Sequence, residues 1–441
     1  MAALPQDENN TTVTGEGLIR AIGPWALGAN AVNNTIGAGI FVLPALVASI
    51  LGPDAVAAYL ICGVAIALVL SCFIEIGTLV DRSGGPIAYV EEAFGPLAGF
   101  VAWVLYAITT TLVAQAALTT VLLDTASLAF PVFAHGAPRV MAMALWMGAL
   151  AAVNIMGVRR GMGVAVAATA AKLVPLLFIV LAGAVVMNWR ELQWIGRPSA
   201  AKLGEASLLL FFAFSGAETV LTPSGEIRDP ARTLPRAMFG ATACFVLVYV
   251  ALQVVSQGIL GPDLAHETRA PLAAVAGRIV PFGRNLVLAG TLISIAGTTA
   301  AGMVALPRAF FLAAENRMLP APLAAVHPRF RTPHWSIVTV AVSIFALAAS
   351  GSFRPLAVFS NGARLLMYAA VCIGALRIRM TRARVPGAFR APGGPLIPVL
   401  GAASALWILH YSRWSQFAGL AAVILAAAGY YRWRCGSLSR R

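Results

Sequence analysis

Residues 35–41 read Thr-Ile-Gly-Ala-Gly-Ile-Phe, and they lie in the middle of an apolar run that covers residues 23–50. Each glycine costs a helix interior about 1 kcal/mol relative to alanine, so this stretch favours an interruption of the helix. Inside a bilayer, the backbone groups that an interruption frees must find other partners. The stretch therefore predicts a membrane-spanning helix that unwinds halfway and whose unwound backbone can face a ligand.

A second stretch of this kind lies in the sixth apolar run, residues 203–225. It reads Phe-Ser-Gly-Ala-Glu over residues 214–218. The two interruptions fall in the first and sixth spans, which are corresponding positions of two five-helix halves. This spacing is typical of an inverted-repeat transporter, in which half-helix N-termini hold an anionic group and freed carbonyls hold a cation or an amine. The alternative is that the glycines only allow close helix packing, but the pairing favours a binding site.

The composition points to an integral membrane protein. The 441 residues are 59% hydrophobic and 11% charged, whereas about a quarter of an average soluble domain is charged. Apolar runs of about twenty residues, the length that crosses a bilayer, recur along the whole chain. The sequence therefore predicts about twelve spans, over residues 23–50, 54–80, 97–126, 139–157, 162–187, 203–225, 236–260, 284–314, 335–350, 355–376, 395–410 and 415–431.

The net charge of +14 is best explained by membrane topology rather than by nucleic-acid binding. Most arginines fall in the loops that share a side with the N-terminus, which predicts cytoplasmic termini in a plasma (inner) membrane. Residues 1–22 are polar and lack the basic start and apolar centre of a signal peptide, so we expect a disordered cytoplasmic tail.

No pattern for catalysis or metal binding is evident. The five cysteines show no metal-ligand spacing, and the five histidines fall in loops or near span ends. We therefore expect neither an enzyme nor a cofactor or metal site. A channel or receptor is less well supported, since no long polar-lined pore or sizeable extramembrane domain is apparent.

Four motifs, in order, resemble the amino acid-polyamine-organocation (APC) superfamily of transporters. They are residues 35–41 with Pro44 following, residues 75–100, residues 225–237 and residues 307–333. The resemblance implies an all-α, LeuT-type fold with discontinuous helices 1 and 6. It also implies alternating access around a central site. The fold would consist of two inverted five-helix repeats, over residues 23–187 and 203–380, and two peripheral helices over residues 394–433.

The resemblance also implies a substrate site at the two interruptions. Backbone amides of residues 37–39 would hold a carboxylate, nearby carbonyls an amino group, and the Phe212 ring would cover the substrate. Gly302 falls where the arginine/agmatine antiporter carries a substrate-stacking aromatic, which argues against a cation-π grip on a guanidinium. The substrate-binding residues implied are Thr35, Ile36, Gly37, Ala38, Gly39, Phe212, Ala213, Phe214, Ser215 and Gly216.

Lys172 lies about ten residues inside the fifth span, too deep to reach an interface easily. It resembles a lysine that, in several APC members, places its ammonium where other members of the fold bind sodium between spans 1, 5 and 8. Since burial disfavours the charged form of a lysine, Lys172 could also gain and lose a proton during transport. A purely structural role is the alternative.

Two further charges lie within predicted spans and need a partner or a role. Glu218 could be a proton site, a partner for a cationic substrate, or a latch to a neighbouring span. Arg364 in span 10 could pair with Glu218 or Glu75, or contact an anionic substrate group. Glu75 and Asp124, near span ends, are expected to be solvated or gate-forming.

These observations predict a secondary active transporter of amino acids that works without sodium, as a proton-coupled symporter or an exchanger. The alternative cargo is a polyamine or another organic amine. The expected partners are a small-molecule substrate, protons and membrane lipid, with a homodimer as a further option.

Overall fold

A computed structural model describes residues 22–80, 84–157, 161–192, 198–222, 227–267, 269–381, 385 and 387–438. The predicted tail lies outside the described residues except for Ile22. In the part that is described, the structure is helical, and one isolated bridge joins Ile22 to Ile227. The helices are α1 (Pro24–Thr35), α2 (Leu43–Leu51), α3 (Ala55–Gly77), α4 (Pro86–Phe94), α5 (Pro96–Trp103), α6 (Val113–Ser127), α7 (Gly136–Met156), α8 (Gly161–Val186), α9 (Ala200–Leu210), α10 (Pro230–Leu260), α11 (Pro271–Ile279), α12 (Gly283–Glu315), α13 (His334–Ser350), α14 (Phe353–Thr381), α15 (Leu396–His410) and α16 (Trp414–Leu438).

Each of the twelve predicted apolar spans contains helical residues in the part of the chain that is described. Within that part, six helical segments are long and apolar enough to cross a membrane by length and composition, and shorter apolar helices accompany them. The six are Leu43–Gly77, Pro96–Ser127, Gly136–Met156, Pro230–His266, Gly283–Glu315 and Phe353–Thr381. Large apolar side chains on the outer surface of α7 and α8, such as Leu145 and Val185, are exposed. Such a surface is suited to lipid.

Both predicted interruptions are present. The first broken helix consists of α1, an extended Gly37, the short 3-10 helix Ala38–Phe41, and α2. The second consists of α9, a turn that ends at Gly216, and the 3-10 helix Ala217–Leu221. We call the segments 36–37 and 211–216 the first and second break.

The two broken helices lie side by side in opposite directions. The half before the first break, α1, packs against Ala217–Leu221, whereas the half after it, α2, packs against α9. Around them, α10 packs against α1 and α3, and α12 packs against α6 and α8. This arrangement brings the first break next to the second inside the bundle.

The third predicted span contains a feature that the sequence analysis did not anticipate. Between α5 and α6, residues Val104–Leu112 form a π-helix. The hydroxyl of Thr111 donates to the Tyr106 carbonyl five residues earlier, at 2.8 Å. A π-helical turn widens the backbone locally and is frequent near functional sites. This one packs against α14.

Candidate functional site

The two breaks touch through Gly216. Its φ of 126° is a conformation that side chains rarely tolerate. In addition, a β-carbon at this position would lie 2.5 Å from the Asn34 carbonyl oxygen at the end of α1. The Asn34 side-chain amide reinforces the contact by donating to the Thr219 hydroxyl at 2.9 Å. Glycine is therefore required at position 216 both by its backbone conformation and by the close approach of the two broken helices.

Tyr249, on α10, connects the two breaks. Its buried hydroxyl lies 2.9 Å from the Thr35 carbonyl oxygen and 3.0 Å from the Ala213 carbonyl oxygen, so that both freed carbonyls share one donor. The ring packs edge-on against Phe214, with 5.2 Å between centroids. The sequence analysis missed Tyr249, and its only signal was a hydroxyl-bearing side chain within an apolar span. Two carbonyls predicted to hold a substrate amino group are thus engaged by this tyrosine.

Replacing Tyr249 by phenylalanine tests this connection. The ring packing is kept, but two buried carbonyls lose their donor, which costs about 1–3 kcal/mol when a buried polar group is left unsatisfied. We expect a lower melting temperature without substrate, because the Thr35 and Ala213 carbonyls lose their donor. Tyr59→Phe is the matched control, since the buried Tyr59 hydroxyl has no hydrogen-bond partner among the described residues. Equal melting temperatures for the two variants would contradict the role of Tyr249.

At the first break, the amide of Gly37 donates to the Thr35 carbonyl at 2.7 Å in a tight turn. It is therefore engaged within the chain, and of the three amides predicted to hold a carboxylate, those of Ala38 and Gly39 remain. A β-carbon on Gly37 would meet only the Thr35 oxygen, at 3.8 Å. Space is thus open beside the first break.

The Phe212 ring lies directly over Gly39. A β-carbon on Gly39 would be 2.9 Å from Phe212 Cδ1, too close for a normal contact. On its other side the ring packs edge-on against Phe353 at the start of α14, with 5.5 Å between centroids. An aromatic side chain thus covers the 3-10 helix that follows the first break.

Lys172 reaches the end of α1. Its side chain is 6% exposed, and its ammonium donates to the Asn33 carbonyl at 2.5 Å. The helix that carries it, α8, packs against α12. The ammonium therefore lies against the first broken helix, at the Asn33 carbonyl.

Glu218 and Arg364 face each other at the second break. Arg364 Nε is 3.7 Å from Glu218 Oε1, and the other carboxylate oxygen accepts from the Gly216 amide at 2.8 Å. A guanidinium nitrogen of Arg364 also donates to the Ser215 hydroxyl, which in turn donates to the Phe212 carbonyl. Of the two carboxylates predicted as partners of Arg364, the structure brings it to Glu218.

The expectation that Glu75 is solvated or forms a gate was wrong on solvation. Glu75 is 3% exposed and forms a two-pronged ion pair with Arg379 on α14. The same carboxylate accepts from the Ala391 amide, and Arg379 donates to the Ala391 carbonyl. The reason is that α14 continues to Thr381, beyond the predicted end of span 10. Asp124 is partly exposed and pairs with Arg139 at 2.8 Å.

Gly302 is covered by a residue that the sequence analysis did not single out. A β-carbon on Gly302 would lie 2.0 Å from the amide nitrogen of Gln115 on α6. The side chain of Gln115 thus fills the room over this glycine. The two helices that meet here, α6 and α12, both contact the 3-10 helix Ala38–Phe41. Among the described residues, no group of three or more histidine, cysteine or acidic side chains could hold a metal ion.

Comparison with known proteins agrees with this architecture. Residues 22–429 match the family described as amino acid permease. An uncharacterised transporter of Mycobacterium tuberculosis is 30% identical over 421 residues, which cover 91% of this chain and 89% of that protein. The serine/threonine exchanger SteT of Bacillus subtilis is 26% identical, covering 86% and 87% of the two chains. The rat large neutral amino acids transporter small subunit 2 is 27% identical, covering 93% and 79%. The chain therefore belongs to the amino acid permease family and is a membrane transporter of the APC superfamily.

Proposed function

We propose that this transporter carries amino acids by alternating access around the two breaks. The observation that carries the proposal is the meeting of the breaks at Gly216 and Tyr249, where backbone amides and carbonyls lie together inside the bundle. An α-amino acid carries a carboxylate and an ammonium that match these two kinds of group. Several relatives are named for amino acids, which supports the same cargo.

In this proposal the substrate carboxylate binds to the amides of Ala38 and Gly39. The amino group binds to carbonyls of the breaks, either those of Ile36 and Phe214 or those from which it displaces the Tyr249 hydroxyl. Phe212, which already lies over Gly39, closes the site on the substrate. The freed backbone groups at the breaks thus obtain partners that water would otherwise supply.

The Lys172 ammonium is the basis for proposing sodium independence. When protonated, it places a positive charge on the Asn33 carbonyl, where a coupling cation would compete with it. Transport would then be driven by protons or by exchange against a second amino acid. We further propose twelve spans in two inverted repeats plus a peripheral pair, with both termini on the cytoplasmic side of the plasma membrane.

A thermal-shift panel tests the cargo class. The detergent-purified protein is heated with single amino acids, with polyamines, and with methylthioribose, since a Bacillus subtilis relative that is 24% identical is named a methylthioribose transporter. A ligand at a hundred times its Kd stabilises the folded state by about 2.7 kcal/mol, so binding raises the melting temperature measurably. We expect stabilisation by amino acids. Stabilisation by polyamines or methylthioribose alone would reject the proposal.

A further inference from the structure

Among the described residues, three buried side chains that can carry a charge at neutral pH lie at or beside the two breaks: Lys172, Glu218 and Arg364. They are 6%, 1% and 8% exposed. Glu75 and Arg379, the other buried ion pair described above, lie at the end of α3, and their charges cancel. With all three groups ionised, the breaks carry two positive charges and one negative charge.

The negative charge of Glu218 is already matched within the protein. One carboxylate oxygen accepts from the Gly216 amide. The other faces Arg364 Nε at 3.7 Å, and neither of these two atoms has a hydrogen-bond partner among the described residues. At 3.7 Å the two groups form an ion pair, and no hydrogen bond joins these two atoms.

The position of Arg364 is fixed by a second contact. Its guanidinium donates to the Ser215 hydroxyl, whose own proton goes to the Phe212 carbonyl. Arg364 therefore contacts Ser215 within the second break and Glu218 just after it. A guanidinium stays protonated at any physiological pH, so this positive charge is permanent. Two tyrosines, Tyr106 and Tyr368, also lie near the pair.

We infer that Arg364 is the internal counter-ion of Glu218 and that, as a result, the carrier accepts neutral amino acids and rejects cationic ones. This inference rests on the proposed function. A cationic side chain would enter a site in which the described residues offer it no unpaired carboxylate and the Lys172 ammonium is already present. A buried charge without a partner is strongly disfavoured, whereas a zwitterion brings no net charge. The same pairing excludes polyamines, the alternative cargo.

The test is competition in proteoliposomes. Uptake of the neutral amino acid that stabilises the protein most is measured against neutral, cationic (arginine, lysine) and acidic (glutamate) competitors. For the wild type we expect the cationic competitors to be at least about tenfold weaker than neutral ones. Arg364→Gln frees the Glu218 carboxylate, so the ratio between cationic and neutral competitors should shift by about tenfold in favour of the cations.

Two further variants make the test independent of whether Arg364→Gln folds. Glu218→Gln leaves Arg364 unpaired, and we expect it to gain competition by glutamate. The double variant Glu218→Gln/Arg364→Gln has neither charge and is expected to keep the rejection of cations. Arg354→Gln is the matched control, because it removes an arginine from an exposed ion pair with Glu205 and should leave the competitor ranking unchanged.

The outcomes separate the two proposals. Binding of no amino acid at all would reject the proposed function, and this inference with it. Uptake of amino acids with cationic competitors as strong as neutral ones, or with glutamate the strongest, would overturn the inference alone. An unchanged ranking in both Arg364→Gln and Glu218→Gln would overturn it as well.

Discussion

Gly39→Leu is expected to abolish transport while the protein still folds. The position has an ordinary helical backbone, so leucine is compatible with its conformation. Its side chain, however, would enter the space of the Phe212 ring, which lies 2.9 Å from where the first added carbon would be, and of Leu43 at 3.4 Å. The leucine would also cover the Gly39 amide, to which the substrate carboxylate binds in the proposed function. Substrate-induced stabilisation and proteoliposome uptake should both be lost.

Gly240→Leu is the matched control for this variant. Gly240 lies on α10, and a β-carbon there would meet nothing within 4 Å, so leucine is accommodated without displacing a neighbour. We expect wild-type uptake from it. Size-exclusion profiles and melting temperatures without substrate establish that both variants fold. If Gly39→Leu retained uptake, the placement of the carboxylate on the first break would have to be abandoned.

The second large effect is expected at Lys172. Wild-type uptake should persist when sodium is replaced by choline, because a sodium ion at this place would meet the Lys172 ammonium. Even at an effective dielectric of 20, two unit charges 4 Å apart repel each other by about 4 kcal/mol. Lys172→Ala removes the hydrogen bond to the Asn33 carbonyl and the charge at the end of α1, so uptake should fall strongly.

Lys202→Ala provides the comparison for Lys172→Ala. Lys202 is the only other lysine of the chain and is exposed near the start of α9, so its loss should leave uptake unchanged. Sodium dependence that appears only in Lys172→Ala would support the replacement of a coupling ion by the ammonium. An obligatory sodium gradient in the wild type would contradict it. Loss of a proton-gradient dependence in Lys172→Ala would assign the transported proton to this residue.

The sequence predicted the two breaks because their signal is local. Paired small residues within an apolar run weaken the helix wherever the run lies, and the structure has both breaks at the expected residues, at Gly37 and Gly216. The pairing of Arg364 with a carboxylate was one of the predicted alternatives, since a buried charge needs a partner. Which carboxylate it would be depended on how α14 packs, which no local pattern encodes.

Tyr249 and Gln115 could not be found for a related reason. Each is a polar side chain in an apolar helix, and the sequence does not tell which neighbouring helix it faces. That depends on the rotation of α10 and α6 about their axes, which is determined by packing across the bundle. Glu75, in contrast, was singled out but assigned the wrong environment. Its position near a predicted span end suggested solvent, but Arg379 and the Ala391 backbone cover it.

The hydroxyl of Tyr249 also limits which parts of the protein can move independently. It bonds to the end of α1 and to the turn after α9 while it belongs to α10, so these three helices are joined at one point deep in the bundle. A motion that separated them would break both bonds at once. We therefore expect them to rotate as one rigid body, with sliding confined to the surfaces that this body shares with its neighbours, among them α3, α8 and α14. The pivot of the transport cycle would then lie in the connecting segments rather than in the unwound residues themselves.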